Sequence, residues 1–378
     1  MFWKKKTPAA DAPDDERLLA ALSTVDDPEL HKDLVSLKMV KRAVLHEGSA
    51  FITIELTTPA CPLKDTIRGD IEAAVEREVP GTKVEVEWTA QVRHGRHGGG
   101  GNPQDLPGLN EVANVILVAA GKGGVGKSTV SVNLALSLQA MGAKVGILDA
   151  DIYGPSVPHM MGTPARHADK STDGSRILPA MHRGLPVMSV DFFVETGRAV
   201  IWRGPMIHKL LQQFLEDVEW GELDYLVVDL PPGTGDAQLS LGQLIPITAG
   251  VIVTTPQEVA LLDVRKAIDM FDKLDVPVVG IIENMSHYRC PACGHHDHIF
   301  SGGGGKRLSE EIGVDLLGQL PIDTAVAHGG ETGIPVVISA PQSELAQTFQ
   351  KTAARAAMEA SKISGTGPKR SSLLRTVN

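Results

Sequence analysis

The chain has 378 residues, enough for one large domain with a smaller companion, and its composition is that of an ordinary globular protein, 42% hydrophobic and 22% charged. A formal net charge of -10 argues against a general nucleic-acid-coating role, because no overall basic field gathers phosphates. Three cysteines, an odd number in a long chain, point away from a disulfide framework and toward a reducing compartment. No apolar run is long enough to cross a bilayer, and MFWKKKTPAADAPDDE lacks the apolar core of a secretory signal. The expected location is therefore cytoplasmic, with neither membrane nor nucleic acid as partner.

Residues 1–15 are expected to be disordered. Over 16–92, DERLLAALSTV has helical apolar spacing, SAFITIELTT is strand-like, CPLKDTIRGDIEAAVEREV is again helical, and TKVEVEWTAQV alternates as a strand does. This predicts a small α+β domain. RHGRHGGGGNPQDLPG, within 93–108, holds four consecutive glycines flanked by prolines and histidines and reads as a flexible linker with a reach of roughly 20 Å. Beyond it, over 109–362, NVILVAA, KVGILDAD, DYLVVDLPP, GVIVTT and VPVVGIIENM are continuous Val/Ile/Leu runs, as strands buried on both faces require. Alternating with helices, they predict an α/β domain with a mainly parallel sheet flanked by helices. The basic tail over 363–378, rich in Gly and Ser, is expected to be disordered.

GKGGVGKST follows the strand NVILVAA and opens a helical stretch, the context that a GxxxxGK[ST] phosphate-binding loop needs. The fold class is thus a P-loop NTPase. The nucleotide-binding set is Gly121, Lys122, Gly123, Gly124, Val125, Gly126, Lys127, Ser128 and Thr129. Its glycines let backbone N–H groups converge on phosphate oxygens, and the helix N-terminus adds partial positive charge. Lys127 is expected to reach the β- and γ-phosphates, and the Ser128 hydroxyl to ligate Mg²⁺.

The second lysine of the loop, Lys122, makes KGGVGKS resemble the deviant Walker A superfamily of MinD and ParA. That resemblance implies a catalytic Lys122 that crosses a dimer interface to the partner's nucleotide. It also implies that Asp149 holds a Mg²⁺-bound water, that Asp151 orients the attacking water, and that Asp229 acts on Mg²⁺ through water. Gly233 then contacts the γ-phosphate as a switch II residue. Asn284, with Pro321 and Asp323 in a later loop, would hold the adenine, which favours ATP. Such Asp and Asn residues at strand ends also serve as plain caps and turn formers.

CPACGHH supplies Cys290 and Cys293, half of a tetrahedral thiolate site, while the remaining cysteine, Cys61, lies far up the chain. His295, His296 and His298 follow closely, so a single-chain zinc site of two cysteines and two histidines stays open. The deviant P-loop, DADIYGPSVPHMMG, WRGPM, DLPPGTGD, ENMSHYRCPACGHHDHIFSGGGG and LPID together resemble the Mrp/ApbC family of iron-sulfur cluster carrier ATPases. The segment TTPACPLKD around Cys61 resembles the small iron-sulfur assembly domain that often precedes this ATPase, the MIP18-like type. The resemblance implies a slow ATP hydrolase that carries an iron-sulfur cluster to apoproteins, with cluster scaffold proteins as further partners. A [4Fe–4S] cluster takes four thiolates. One chain offers two from this motif, so a homodimer would share the cluster across its two-fold axis. For Cys61, a reactive thiol and a buried small residue both stand, and the role of the WRGPM segment around Arg203 stays open.

The rival readings are a MinD- or ParA-like positioning ATPase and a zinc-binding ATPase. The final helical stretch, SELAQTFQKTAARAAMEASK, has few large apolar anchors and mixed charge, which suits a packed helix better than a membrane-binding one.

Overall fold

In the computed structural model, which describes residues 12–28, 30–92, 94–95, 106–164, 168–193, 204–233, 235–290 and 292–365, the first helix is α1 (Glu16–Leu22). Asp15 caps it, its carboxylate accepting from the N–H groups of Arg17 and Leu18. A short pair, β1 (Asp26–Asp27) and β2 (Lys32–Asp33), leads to β3 (Val40–His46) and β4 (Ser49–Leu56), which form an antiparallel hairpin. Glu47 and Gly48 both take positive φ at its turn, which matches the right-handed twist of the strands. β4 buries Ala50, Ile52, Ile54 and Leu56 on one face, and α2 (Lys64–Glu78) lays Ile67, Ile71, Ala74 and Val75 into the same core. These helical positions recur at the spacing of one apolar stripe. α2 is the crossover that returns the chain as β5 (Lys83–Ala90), parallel to β4. Cys61, partly buried in the loop before α2, packs against this core.

The expected disordered start needs correction at its end. Residues 1–11 lie outside the described residues, but the Ala43 N–H donates to the Asp14 carboxylate at 2.7 Å, and the Asp15 N–H donates to the Ala43 carbonyl at 2.7 Å. Both residues are tied to β3 because the Asp15 cap anchors the turn that enters α1.

The chain divides into two compact units, Met1–Val92 and Arg93–Asn378. The expected linker over 93–108 is therefore structured where it is described. The Gly95 N–H donates to the Ala113 carbonyl at 3.0 Å, and Leu106, Gly108 and Leu109 are buried around a short 3₁₀ turn. Apolar Leu106 and Leu109 gain more by burial than a solvated spacer would. Residues 93 and 96–105 lie outside the described residues.

The second unit opens with β6 (Val112–Ala119), buried along its whole length, followed by α3 (Lys127–Ala140), β7 (Val145–Asp149) and α4 (Val157–Met161). A minor pair, β8 (Asp169–Lys170) with β9 (Ile177–Leu178), precedes β10 (Ala180–His182) and β11 (Leu185–Ser189). Then come α5 (Gly204–Glu216), β12 (Leu223–Asp229), α6 (Asp236–Leu244), β13 (Ala249–Thr254), α7 (Glu258–Lys273) and β14 (Val278–Glu283). A small hairpin, β15 (Tyr288–Arg289) and β16 (His296–Asp297), is inserted before α8 (Gly304–Ile312) and β17 (Leu316–Gln319). Three helices close the unit: α9 (Thr324–Thr332), α10 (Val336–Ser339) and α11 (Glu344–Gly365).

An eight-stranded sheet in the order β10-β11-β7-β12-β6-β13-β14-β17 organises this unit. β10 is antiparallel at one edge and every other pairing is parallel. In such sheets ligands bind beyond the carboxyl ends of the strands. Asp149, at the end of β7, is the direct neighbour of Asp229, at the end of β12, and Val118 of β6 flanks Asp229 on the other side. α11 packs on α3 and buries Ala346, Phe349, Ala353, Ala356, Ala357 and Ala360, the packed terminal helix that its composition suggested. Among the described residues no helix is long and apolar enough to cross a membrane.

Candidate nucleotide and cluster site

The loop between β6 and α3 brings the carboxyl edge of the sheet against a helix N-terminus. Gly124 and Gly126 take left-handed φ of +83° and +80°, which curls the backbone as side-chain-bearing residues rarely do. Gly126 has a second constraint, because a Cβ there would run into the Asn284 side-chain amide. Lys127 opens α3 and is 6% exposed. Its ammonium lies 2.7 Å from Asp229 Oδ2, 3.3 Å from Ser128 Oγ and 3.9 Å from Asp151 Oδ2. Ser128 Oγ donates to Asp229 Oδ2 at 2.6 Å. A hydroxyl and a carboxylate are hard oxygen donors, so Ser128 and Asp229 fit a Mg²⁺ ion as the residues that would hold it.

The two β7 aspartates differ in environment. Asp149 is fully buried, and its carboxylate accepts from the N–H groups of Asp151, Ser156 and Val157 and from the Ser189 hydroxyl. Burial, then the nearby Asp229 charge, pushes its pKa up to about 7. Asp149 thus fastens the following loop and α4 to the strand end. Asp151 is raised by burial, opposed chiefly by the Lys127 charge, and accepts from the Gly154 N–H at 3.3 Å. Together with Tyr153, Gly154, Pro232, Gly235 and Gln238, it lines a cavity of about 560 Å³.

Gly233 takes φ +99° in the loop after β12, and its N–H donates to the Ala120 carbonyl at 3.0 Å. Contact between that N–H and a γ-phosphate therefore requires this bond to open. Lys122 is exposed, with no ion pair among the described residues. Asn284, at the end of β14, donates its side-chain amide to the Val125 carbonyl at 2.8 Å, so it braces the phosphate loop. Asp323 caps α9 by accepting from the Ala325 N–H at 2.7 Å, and Pro321 is half-buried in the same loop. All three predicted base-recognition residues thus lie just beyond the carboxyl ends of two adjacent strands, Asn284 after β14 and Pro321 and Asp323 after β17. Arg203 lies outside the described residues.

Cys290 and Cys293 sit on the turn of the β15–β16 hairpin, where Cys290 is half-buried and Cys293 exposed. The Cys290 N–H donates to the His295 carbonyl, and the Gly294 N–H returns to the Cys290 carbonyl. Hydrogen bonds from the Cys293 and Ala292 N–H groups hold the Cys290 thiol below its ordinary pKa and favour the thiolate that ligates metals. Among the described residues no three His, Cys, Asp or Glu side chains converge as a metal site. The His296 ring stacks on His287 with centroids 5.3 Å apart, and His298 Nδ1 is bonded to the Ser286 carbonyl at 3.0 Å.

Sequence reasoning missed two buried residues. Ser131, one turn along α3 from Lys127, donates to Asp229 Oδ1 at 2.6 Å. Gln238 donates to the carbonyls of Pro231 and Pro232 and fastens the loop after β12. The spacing of four from Lys127 to Ser131 is the one local signal that points to either.

Comparison with known proteins shows the family of the chain. Residues 111–357 match the model of the NUBPL iron-transfer P-loop NTPase family, and residues 15–88 match that of an iron-sulfur cluster assembly protein. An iron-sulfur cluster carrier protein of Deinococcus radiodurans is 48% identical over 339 residues, covering 89% of this chain and 93% of that protein. One from a Synechocystis species is 44% identical over 338 residues, covering 88% and 94%. Among solved structures, a nucleotide-binding protein of Archaeoglobus fulgidus in complex with ADP is 36% identical, with a TM-score of 0.57, covering 66% of this chain and 97% of that one. The chain belongs to the NUBPL iron-transfer P-loop NTPase family, with an iron-sulfur cluster assembly domain ahead of the NTPase domain.

Proposed function

We propose that this chain is a cytoplasmic, ATP-hydrolysing carrier that receives an iron-sulfur cluster from scaffold proteins and delivers it to apo iron-sulfur proteins. The observation that carries the reading is the hairpin: two thiols on one exposed turn, attached to a phosphate-loop domain, with no completing ligands among the described residues of the same chain. Two copies related by a two-fold axis would supply four thiolates, the set a [4Fe–4S] cluster takes. The relatives named as iron-sulfur cluster carriers support the same reading.

Within the nucleotide site, the loop N–H groups and Lys127 bind the phosphates, and the charge on Lys127 is kept from water by burial. Mg²⁺, when bound, neutralises the β- and γ-phosphates. Asp151, at the cavity wall, orients the attacking water, Gly233 contacts the γ-phosphate and Lys122 reaches the partner's nucleotide. Asn284, Pro321 and Asp323 frame the adenine.

Anaerobic reconstitution with iron and sulfide, followed by absorption spectroscopy, metal analysis and mass measurement, tests the proposal. One [4Fe–4S] cluster per two chains, transferable to an apo acceptor, is expected. One tightly held zinc per chain and no cluster would end it.

A further inference from the structure

The turn after β14 touches both halves of the proposed machine. Asn284 is anchored by its N–H to the Thr254 carbonyl at 2.7 Å, and its side chain grips the Val125 carbonyl inside the phosphate loop. Met285 then takes a left-handed conformation, φ +56°, that turns the chain sharply. Ser286 is buried at that turn, and its N–H and hydroxyl both donate to the Leu320 carbonyl, at 2.9 and 3.0 Å. The Ser286 carbonyl meets His298 Nδ1 from the far side of the cysteine hairpin. The Ile322 N–H donates to the His287 carbonyl at 2.7 Å, so the proposed base loop is tied to the same turn. Two residues beyond His287, β15 ends, and Cys290 begins the cysteine turn.

We propose that Asn284 and Ser286 are positioning residues that carry the state of the phosphate loop to the cysteine hairpin within a single chain. Val125 lies in the loop, so a nucleotide that moves its carbonyl pulls on the Asn284 amide. The chain from Asn284 to Cys290 is short and held by hydrogen bonds at Asn284, Ser286, His287 and Cys290, so a displacement at one end has few places to be absorbed. ATP could thereby alter the grip on a cluster without any movement of one chain against another. The biological meaning rests on the carrier reading above, but the mechanical link does not.

The test therefore uses apo full-length protein and reads the thiols alone. Cys290 and Cys293 are alkylated with a maleimide and followed by peptide mass spectrometry, with no nucleotide and with saturating non-hydrolysable ATP analogue. A nucleotide-dependent change in rate of about fivefold is expected for the unmodified chain, the low end of measured couplings. Asn284→Asp keeps the shape but removes the donor that faces Val125, and it should lose the change at an analogue concentration that saturates it. Ser286→Ala leaves the phosphate loop untouched. Alanine keeps the backbone bonds to Leu320 and His298 and removes only the hydroxyl, so this variant should bind the analogue as the unmodified chain does, melt within a few degrees of it, and lose part of the rate change. An undiminished change in Ser286→Ala overturns the proposal whatever Asn284→Asp does, and it is the result that occlusion by a second copy predicts. Absence of any change in the unmodified chain overturns it too. A chain that keeps the thiol response yet takes up no cluster on reconstitution would remove the carrier reading and support the link.

Discussion

Lys127 and Asp229 form a buried ion pair, Nζ to Oδ2 at 2.7 Å, between the first residue of α3 and the last residue of β12. Lys127 is 6% and Asp229 0% exposed, so each charge depends on the other and on the hydroxyls of Ser128 and Ser131. The pair joins the phosphate loop to the strand that carries the proposed Mg²⁺ carboxylate, and it makes stability and nucleotide binding separable by mutation.

Lys127→Ala should lose nucleotide affinity and also destabilise the fold, by about 3–5 kcal/mol, because a buried carboxylate is left without its cation. Adding Asp229→Asn in the same chain should restore most of the stability and none of the binding. Urea unfolding and calorimetric titration with ATP, run on both variants, measure the two effects. Equal stability of the single and double variants would mean that the pair is not electrostatically coupled.

Asp151→Ala should still bind ATP and hydrolyse it about a hundredfold or more slowly, the usual scale for losing a group that positions or deprotonates a nucleophile. Lys122→Ala should also bind normally and turn over slowly. Mixing the two variants, after subunit exchange has been verified, should return part of the activity. One site then combines an intact Asp151 with the partner's intact Lys122. Recovery absent from an exchanging mixture would assign both residues to the same chain's site.

The raised pKa of Asp149 predicts a pH effect of definite sign. Burial and the Asp229 charge lift it to about 7 in the fold, against 3.8 for the free side chain. Between those values the folded state holds the proton more tightly than the unfolded chain does. Stability from this group is thus present at the acid end and lost as pH rises toward 7, by up to about 1.4 kcal/mol per unit of difference. Asp149→Asn cannot titrate, so its stability relative to the unmodified chain should rise steadily between pH 4 and pH 7. Denaturant midpoints across that range give the slope, and a flat difference would place the Asp149 pKa near its ordinary value.

Cys290→Ala and Cys293→Ala should each abolish stable cluster binding while leaving ATP affinity unchanged, since the hairpin turn is exposed and neither thiol belongs to the core. Iron content after anaerobic desalting, with nucleotide titration on the same samples, reads both. A full cluster retained by either variant would sink the bridged arrangement.

Local chemistry makes much of this protein legible in its residue order. A continuous Val/Ile/Leu run such as NVILVAA reads as a strand buried on both faces, and the glycines, lysine and serine of GKGGVGKST read as a phosphate loop, since each signal lies within a few consecutive residues. The cysteine pair is visible for the same reason. Pairings across long stretches of chain are not. Asp229 and Ser131 are far apart in sequence, as are Asn284 and Val125, and nothing in either local pattern states which strand end faces which loop. The strand order decides that, by setting β12 and β7 side by side and β14 beyond β13. Composition also misreads the ends of the expected linker and of the expected disordered start. Gly95 and Asp14 look like solvated residues by type, but each finds a backbone partner on a neighbouring strand, and such a bond is a property of position alone. Which chemistry the chain carries is thus written in short runs of residues. Which groups share that chemistry follows from the fold, because hydrogen bonds and ion pairs depend on distance in space and not along the chain.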